Sequence, residues 1–428
     1  MSFLYNILFV VGSLAMFPLF VVKALTLENR RATVLKRLYP GFKIPQFRMR
    51  PIWIHALSVG EVFSVVTLIK AIKRDYPDRP LVCSVSTQRG YQVATQSLSK
   101  NVDFVFFFPY DFLWTVKYLI RRVRPALFLL VETDLWPNVL SEIAKYGAPA
   151  ILVNGRISPT SYKRYKRLSF FTKRLLSNFA WYCMQSEIDA KRIISIGAAR
   201  DKVEVTGNIK FDQPVNPASD EEIRELKDLL RIEANTKVFL AGSTHEGEEA
   251  ILLRSFEVLK KSFSDLILVV VPRDPGRACS VQRMFKKAGL LASLKTELDK
   301  MDASLMPEAI VVDTIGELRR LYAIADVVFV GKSLVNLGGQ NPLEPAAFKK
   351  PILFGPYMFN FELIAEMLVR KGGAIRVVNG EGLLEQVAGL LRNPERSRLI
   401  GQRAYEVFCM NQGAVDRILR VIQRFLRP

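Results

Sequence analysis

From about residue 45 onward, short apolar runs alternate with stretches of helical periodicity. Ile52-Trp53-Ile54-His55-Ala56 reads as a buried strand, and a helix follows from about Glu61 to Lys73. Leu81–Val85, Phe104–Phe107, Ala126–Val131, Pro149–Val153 and Trp181–Met184 read as further strands separated by helices, the pattern of a doubly wound parallel sheet. The pattern breaks around 207–219, where Asp212-Gln-Pro-Val-Asn-Pro-Ala-Ser-Asp is rich in turn formers and reads as a linker. A second α/β series follows: Val238–Ala241, Leu266–Val271, Ala309–Val312, Asp326–Val330, Pro351–Phe354 and Ala374–Val378. The expected organisation is an α/β domain over 45–211, a second over 212–396 and a helical segment over 397–428. Two such halves imply a cleft between them, with chemistry near the C-terminal ends of the strands.

Residues 3–22 contain no side chain charged at neutral pH, and that length crosses a hydrocarbon core as a helix. Lys23, Arg30, Arg31, Lys36 and Arg37 follow it, opposed only by Glu28. The charge bias predicts a single-pass anchor over 1–25, with a short external N-terminus and the remainder in the cytoplasm. A cleaved signal peptide fits less well, because the charges follow the apolar stretch instead of preceding it. No later segment has eighteen consecutive apolar residues.

At 428 residues the chain has room for two or three domains, taking about 100–200 residues for each. Half of it is hydrophobic, which excludes a disordered or collagen-like class. Its 61 Lys and Arg against 41 Asp and Glu give a formal charge of +20 and point to an anionic partner. Cys83, Cys183, Cys279 and Cys409 are far apart, and only His55 and His245 are histidines. That excludes a disulfide framework and a structural zinc site, and it fits a reducing compartment.

Several strand ends carry candidate chemistry. Ser58-Val59-Gly60-Glu61 places an acid in the first turn of a helix, where it either deprotonates an attacking hydroxyl or simply caps. Glu132-Thr133-Asp134-Leu135-Trp136-Pro137-Asn138 puts several polar groups at one strand end, to orient a substrate or to start a helix. In Gly207-Asn208-Ile209-Lys210-Phe211-Asp212, Lys210 either meets a phosphate or is a solvated linker cation. Ser243-Thr244-His245 precedes a helix start that could hold a phosphate or carboxylate; a capping box is the alternative. Arg273 in Pro272-Arg273-Asp274-Pro275 could pair with an anion or lie in a surface turn. In Gly338-Gly339-Gln340-Asn341-Pro342-Leu343-Glu344, two glycines allow backbone to approach a ligand, and Glu344 could accept from ribose hydroxyls. Lys163, Arg164, Lys166, Arg167, Lys173 and Arg174 form a basic run interleaved with aromatics, which suits an anionic bilayer better than nucleic acid. There is no Asp-x-Asp, no Walker pattern and no G-x-G-x-x-G, so a metal-bridged site, a P-loop and a dinucleotide fold find no support.

These stretches occur in an order that resembles the bacterial Kdo (3-deoxy-D-manno-octulosonic acid) transferases of lipopolysaccharide biosynthesis. The match covers most of the chain: W-I-H-A-x-S-V-G-E, E-T-D-L-W-P-N, N-G-R-I-S, G-N-I-K-F-D, G-S-T-H-x-G-E-E, P-R, D-T-I-G-E-L and G-G-x-N-x-L-E-P. The resemblance implies the GT-B architecture, two Rossmann-like domains around a cleft, with an N-terminal acceptor domain and a C-terminal CMP-sugar domain. It implies inverting transfer of Kdo from CMP-Kdo to a lipid A precursor at the cytoplasmic face of the inner membrane. No metal or other cofactor is implied. By resemblance Glu61 is the base, and Glu132 and Lys210 support the transition state. Pro272, Arg273, Ile315, Gly316, Glu317, Asn341, Pro342, Leu343 and Glu344 resemble the CMP-binding elements. Three positions depart from the family pattern: Asp274 and Gln340 stand where histidine is common, and Gly155 where alanine is common. Two other readings remain open on the residues alone, a GT-B transferase with another nucleotide sugar and a non-enzymatic, membrane-tethered binder of anionic lipid.

Overall fold

The structure is a computed structural model that describes residues 2–15, 33–34, 36–38, 44–212, 218–302 and 305–426. The chain divides into two compact units, Met1–Pro214 with Asn411–Pro428, and Val215–Met410.

The first unit is built on a seven-stranded sheet, β1 (Ile52–His55), β2 (Leu81–Val85), β3 (Phe104–Phe107), β4 (Leu127–Val131), β5 (Ala150–Gly155), β6 (Trp181–Met184) and β7 (Val203–Val205). Its order is β3-β2-β1-β4-β5-β6-β7, with every pairing parallel. Strands β1, β2, β4 and β5 are buried along their whole length, as a sheet covered on both faces requires. Side chains alternate between two cores: Ile52 and Ile54 enter one with Val62 and Leu68, while Trp53 enters the other with Phe106 and Phe128. Trp53 is fully buried, and its indole N–H donates to Ser84 Oγ at 2.8 Å.

The second unit repeats the plan with β8 (Lys237–Thr244), β9 (Leu266–Pro272), β10 (Ala292–Leu294), β11 (Ala309–Val311), β12 (Val327–Val330), β13 (Ile352–Phe354) and β14 (Ala374–Arg376). The order is β10-β11-β9-β8-β12-β13-β14, again all parallel. In each sheet the strand order reverses once, between β1 and β4 and between β8 and β12. Such switch points leave a crevice outside the carboxyl ends of the strands.

The alternation of runs and helices anticipated twelve of these strands. It missed β7 and β10, three residues each at a sheet edge, too short to show a period. The segment 397–428 is helical but is not one piece. Helix Pro394–Met410 packs in the second unit and Ala414–Phe425 in the first, where Ile418, Leu419 and Ile422 join the core beneath Val62 and Leu68. Asp212, read as the start of the linker, is instead fastened to that last helix, accepting from Gly413 N–H at 2.7 Å and Val415 N–H at 2.5 Å. Residues 213–217 lie outside the described residues.

The expected anchor over 1–25 is not supported. The described part of that segment is the helix Ser2–Ala15. Residues 16–32 lie outside the described residues, and among the described ones no helix is long and apolar enough to cross a membrane. The start of this helix is also tied to the first unit: the Tyr5 hydroxyl donates to Asp111 Oδ2 at 2.8 Å, and Asn6 and Asn138 exchange side-chain hydrogen bonds. A span with an external N-terminus would hold those residues a bilayer's thickness away from the domain.

Candidate active site

In the first unit, chemistry gathers at the switch point. Glu61, in the first turn of helix Val59–Asp75 after β1, is 8% exposed. Its carboxylate folds back over the turn, with Oε2 accepting from Leu57 N–H at 2.6 Å and Oε1 from the Ser58 hydroxyl at 3.2 Å. Ser58 therefore donates to the acid and makes no side-chain cap of its own. The helix dipole favours an ionised acid here, but the balance goes the other way. Burial, and then the charge of Glu132, push Glu61 up to about 8, against the bonds from Leu57 and Ser58.

Glu132 ends β4 in the left-handed region, at φ 57°, with its N–H on Val153 O. Lys210 sits on the short 3-10 turn Ile209–Asp212 and reaches Glu132 Oε1 at 3.5 Å. Both are only partly exposed, Lys210 at 21% and Glu132 at 29% of the side chain. Lys210 is thus a held cation at a strand end and not a solvated linker lysine. The turn that carries it is fixed from β5: Asn154, also in the left-handed region, accepts Ile209 N–H at 3.2 Å. Asp134 completes the acidic group; burial raises its pKa against the Trp136 indole N–H that it accepts at 2.7 Å. Arg37, half-stacked over Tyr110 at 4.2 Å and donating to Phe108 O, supplies positive charge to Asp134.

In the second unit, β8 runs on to Thr244, beyond the strand end expected at Ala241. Ser243 stands at φ 56°, 8% exposed. The fully buried Thr244 hydroxyl donates inward to Glu249, whose carboxylate also takes both arms of Arg277 at 2.8 and 3.2 Å. His245 is half-buried, with Nδ1 3.1 Å from Ser243 O; burial, then Lys332 and Arg273, lower its pKa. The helix that follows has Gly247 as its N-cap with no side-chain cap, so the expected Ser/Thr box is absent.

Glu248 takes over that role and more. Its carboxylate is fully buried and accepts four backbone N–H groups: His245 at 2.9 Å, Lys332 at 2.6 Å, Ser333 at 2.9 Å and Leu334 at 3.0 Å. One side chain thereby joins the loops after β8 and β12, the two strands that flank the switch point.

The glycine-rich stretch follows from there. Gly339 N–H donates to Lys332 O at 2.7 Å, and Asn360 N–H to Gly338 O at 2.9 Å. Gly338 and Gly339 have φ 99° and 74°, and a Cβ at Gly338 would lie 2.4 Å from Phe359. These glycines are needed for a close approach to the chain's own 357–360 segment, where the sequence had pointed to a ligand. Pro342 caps helix Leu343–Ala347, Asn341 Oδ1 accepts Leu343 N–H at 3.1 Å, and Asn341 Nδ2 lies 3.4 Å from Glu344 Oε1. Burial raises the Glu344 pKa, opposed by Arg319, Asn341 and Arg273. Pro272 ends β9 and Arg273 N–H bonds Thr244 O, so Arg273 acts on both His245 and Glu344. Ile315 is 87% exposed beside Gly316 at φ 90°, while Glu317 pairs with Lys295 and Thr314. Asp274 accepts Gly276 N–H and starts a short turn.

Lys163, Arg164, Lys166 and Arg167 lie on the exposed helix Pro159–Arg167, which follows β5; Arg164 and Lys166 rest over Tyr165 and Tyr162. A groove of about 780 Å³ in the first unit, lined by Phe170, Lys173, Leu176, Ile196 and Lys202 among others, contains none of the candidate catalytic residues.

A family model described as 3-Deoxy-D-manno-octulosonic-acid transferase (kdotransferase) matches residues 28–213. The 3-deoxy-D-manno-octulosonic acid transferase of Haemophilus influenzae is 33% identical over 381 residues, which are 88% of this chain and 87% of that protein. The chain belongs to the Kdo transferase family. A bifunctional glycosyltransferase/methyltransferase of Fusobacterium nucleatum is 36% identical over 388 residues, 90% of this chain but only 58% of that relative's length. Among solved structures, a glycosyltransferase from Rickettsia africae matches with a TM-score of 0.59 at 13% identity, over 89% of this chain and 100% of that one. That likeness speaks for the fold alone, and it agrees with a GT-B pair of Rossmann-like units.

Measured against the Kdo transferase motifs, each unit keeps its candidate residues together: Glu61, Glu132 and Lys210 in the first, Arg273, His245 and Asn341–Glu344 in the second. Sequence reasoning missed Glu248, Lys332, Arg319 and Arg37. Glu248 was visible only as one acid in Glu246-Gly247-Glu248-Glu249, and nothing in the sequence links it to a loop more than 80 residues later. His55, the second histidine, is a core residue: it stacks on Phe108 at 3.7 Å, and burial pushes its pKa down to about 3.

Proposed function

We infer that this Kdo transferase-family protein moves Kdo from CMP-Kdo to a hydroxyl of a lipid A precursor, with inversion at the anomeric carbon. The observation that carries this reading is the buried carboxylate of Glu61, held near neutral pKa at the switch point beside the Glu132–Lys210 pair. A base works best when its pKa lies near the operating pH. Each Glu61 oxygen accepts one hydrogen bond from the turn and keeps a lone pair for an acceptor hydroxyl.

The steps balance without a co-reactant. Glu61 takes the acceptor proton as the hydroxyl oxygen bonds to the anomeric carbon. The bond from that carbon to the CMP phosphate breaks, and CMP departs with its electron pair. Positive character at the anomeric carbon is met by Glu132. Negative charge growing on the phosphate is met by cations such as Arg273 and Lys332, while Lys210 holds Glu132 in place. Glu344 accepts from the ribose hydroxyls, and the exposed Ile315-Gly316 corner offers apolar surface for the cytosine ring. Inversion follows from a single displacement, because one base serves the attacking face. Nothing in these steps calls on a metal ion or a cofactor. The lipid portion of the acceptor accounts for a protein that works at a membrane surface on the cytoplasmic side.

Donor competition tests the reading. CMP is expected to raise the melting temperature and to inhibit transfer, and UDP to do neither. Protection by UDP with no response to CMP would assign the fold to a different nucleotide-sugar donor.

A further inference from the structure

The stretch that follows β7, residues 206–212, carries Lys210, and the last helix, Ala414–Phe425, holds it at both ends. At its far end Asp212 accepts Gly413 N–H on one carboxylate oxygen and Val415 N–H on the other, and Phe211 O accepts from Gln412 Nε2 at 3.3 Å. At its near end Arg417 Nε donates to Thr206 O at 2.6 Å, while Arg417 Nη2 reaches back to Gln412 O at 3.1 Å. The approach is close enough to dictate residue type. Gly207 has φ 91°, and a Cβ there would lie 3.0 Å from Arg417 Nη2; Gly413 has φ 88°, and its Cβ would lie 3.0 Å from Arg417 Nη1. A side chain at either glycine would strain the backbone and crowd the guanidinium.

Between those ends the turn is also fixed from within. Lys210 N–H donates to Asn208 Oδ1 at 3.0 Å, and Asn208 Nδ2 to Gln185 Oε1 at 3.2 Å. Ile209 and Phe211 are buried, whereas Lys210 between them stays partly exposed and reaches Glu132. Ile209 shares its core with Ile418, Leu419 and Ile422 of the last helix. Val62, Val65 and Leu68 join the same core from the helix that carries Glu61 in its first turn. Glu61 and Lys210 therefore rest on one element, which the chain supplies only after it returns to the first unit at Asn411.

We propose that Asp212 and Arg417 are positioning residues: they clamp the turn that carries Lys210, and through Lys210 they set where Glu132 stands. Lysine reaches its partner on a flexible four-carbon stem, so Nζ is placed only as well as the backbone beneath it. A partly exposed ion pair does little to hold itself together. The clamp supplies the order that the pair lacks. Its kinetic consequence rests on the proposed function; the hold on Lys210 does not.

The test uses the full chain, with Asp212→Ala, Asp212→Asn and Arg417→Met each made in the parent and in Lys210→Met, and all assayed well below their melting temperatures. In the parent background kcat for Kdo transfer should fall about 10–100-fold with the KM for CMP-Kdo little changed. Asp212→Asn keeps one acceptor oxygen and should fall least. In the Lys210→Met background the same substitutions should leave kcat where Lys210→Met alone puts it. An equal fall in both backgrounds would overturn the proposal and make the clamp a fastening of the last helix only. A second readout needs no turnover, the acetylation of each lysine by acetic anhydride followed by mass spectrometry. Lys210 should react several times faster in Asp212→Ala and Arg417→Met than in the parent, while Lys145, paired with Glu142, keeps its rate. Unchanged reactivity of Lys210 would equally overturn the clamp. A parent protein that moves no Kdo would count against the proposed reaction, and the acetylation rates would then decide the clamp by themselves.

Discussion

Lys210 and Glu132 stand 78 positions apart in the chain, yet Lys210 Nζ lies 3.5 Å from Glu132 Oε1 at the end of β4. The pair is partly buried, and Glu132 in turn raises the pKa of Glu61. Lys210, Glu132 and Glu61 are therefore one electrostatic unit.

The first prediction concerns the base. Glu61→Gln removes the proton acceptor but keeps an oxygen for Leu57 N–H. Transfer should fall about 10²–10⁴-fold while CMP still raises the melting temperature. Normal turnover by this variant would remove Glu61 from the mechanism.

The pH profile follows from the same pKa. The ionised form is the active one, so log kcat/KM should climb with unit slope below about 8 and level off above it. Glu132→Gln takes away a charge that raises Glu61, and the acid limb should move to lower pH even as the rate drops. An acid limb that stays in place would mean that Glu132 does not act on the base.

Stability should run against activity at this position. The folded pKa of Glu61 lies at about 8, above the ordinary 4.5 of a free glutamate, so the native state holds a proton that the unfolded chain releases. The favourable protonated form is fully present below about 4.5 and is lost as pH rises through 8, so stability falls over that window. Glu61→Gln should accordingly melt higher than the parent at pH above 8 and show no such advantage near pH 4, as read by calorimetry at each pH.

Glu248 offers a test of loop positioning in the second unit. Glu248→Gln retains the shape but weakens four charge-assisted bonds, including those to Lys332, Ser333 and Leu334. The KM for CMP-Kdo should rise more than kcat falls, and Glu248→Ala should do both more severely. A loss of melting temperature with unchanged KM would make Glu248 a purely structural brace.

Asp212→Ala should cost about 0.5–2 kcal/mol, because it frees the Gly413 and Val415 N–H groups at the start of the last helix. Chemical denaturation would measure it. A cost indistinguishable from zero would mean that the last helix is held by its apolar face alone.

What the sequence made legible was whatever a period or an ordered motif encodes. Fully buried parallel strands read as apolar runs, so β1, β2, β4 and β5 were plain, while the three-residue edge strands β7 and β10 were too short to show a period. Glu61, Glu132 and Lys210 were flagged by their strand-end positions and by family resemblance. Their mutual effect was not, because it depends on a contact across 78 residues and on burial that outweighs a helix dipole. The N-terminal helix was partly legible for a related reason. Composition registers that the segment is apolar, but not that its polar side chains Tyr5 and Asn6 bond Asp111 and Asn138.

The most direct measurement is a mass spectrum of lipid A precursor after incubation with the detergent-purified protein and CMP-Kdo. The account predicts a shift by whole Kdo units, abolished in Glu61→Gln and accompanied by one CMP released for each unit added. An unshifted acceptor, with the protein folded and the donor intact, would contradict it.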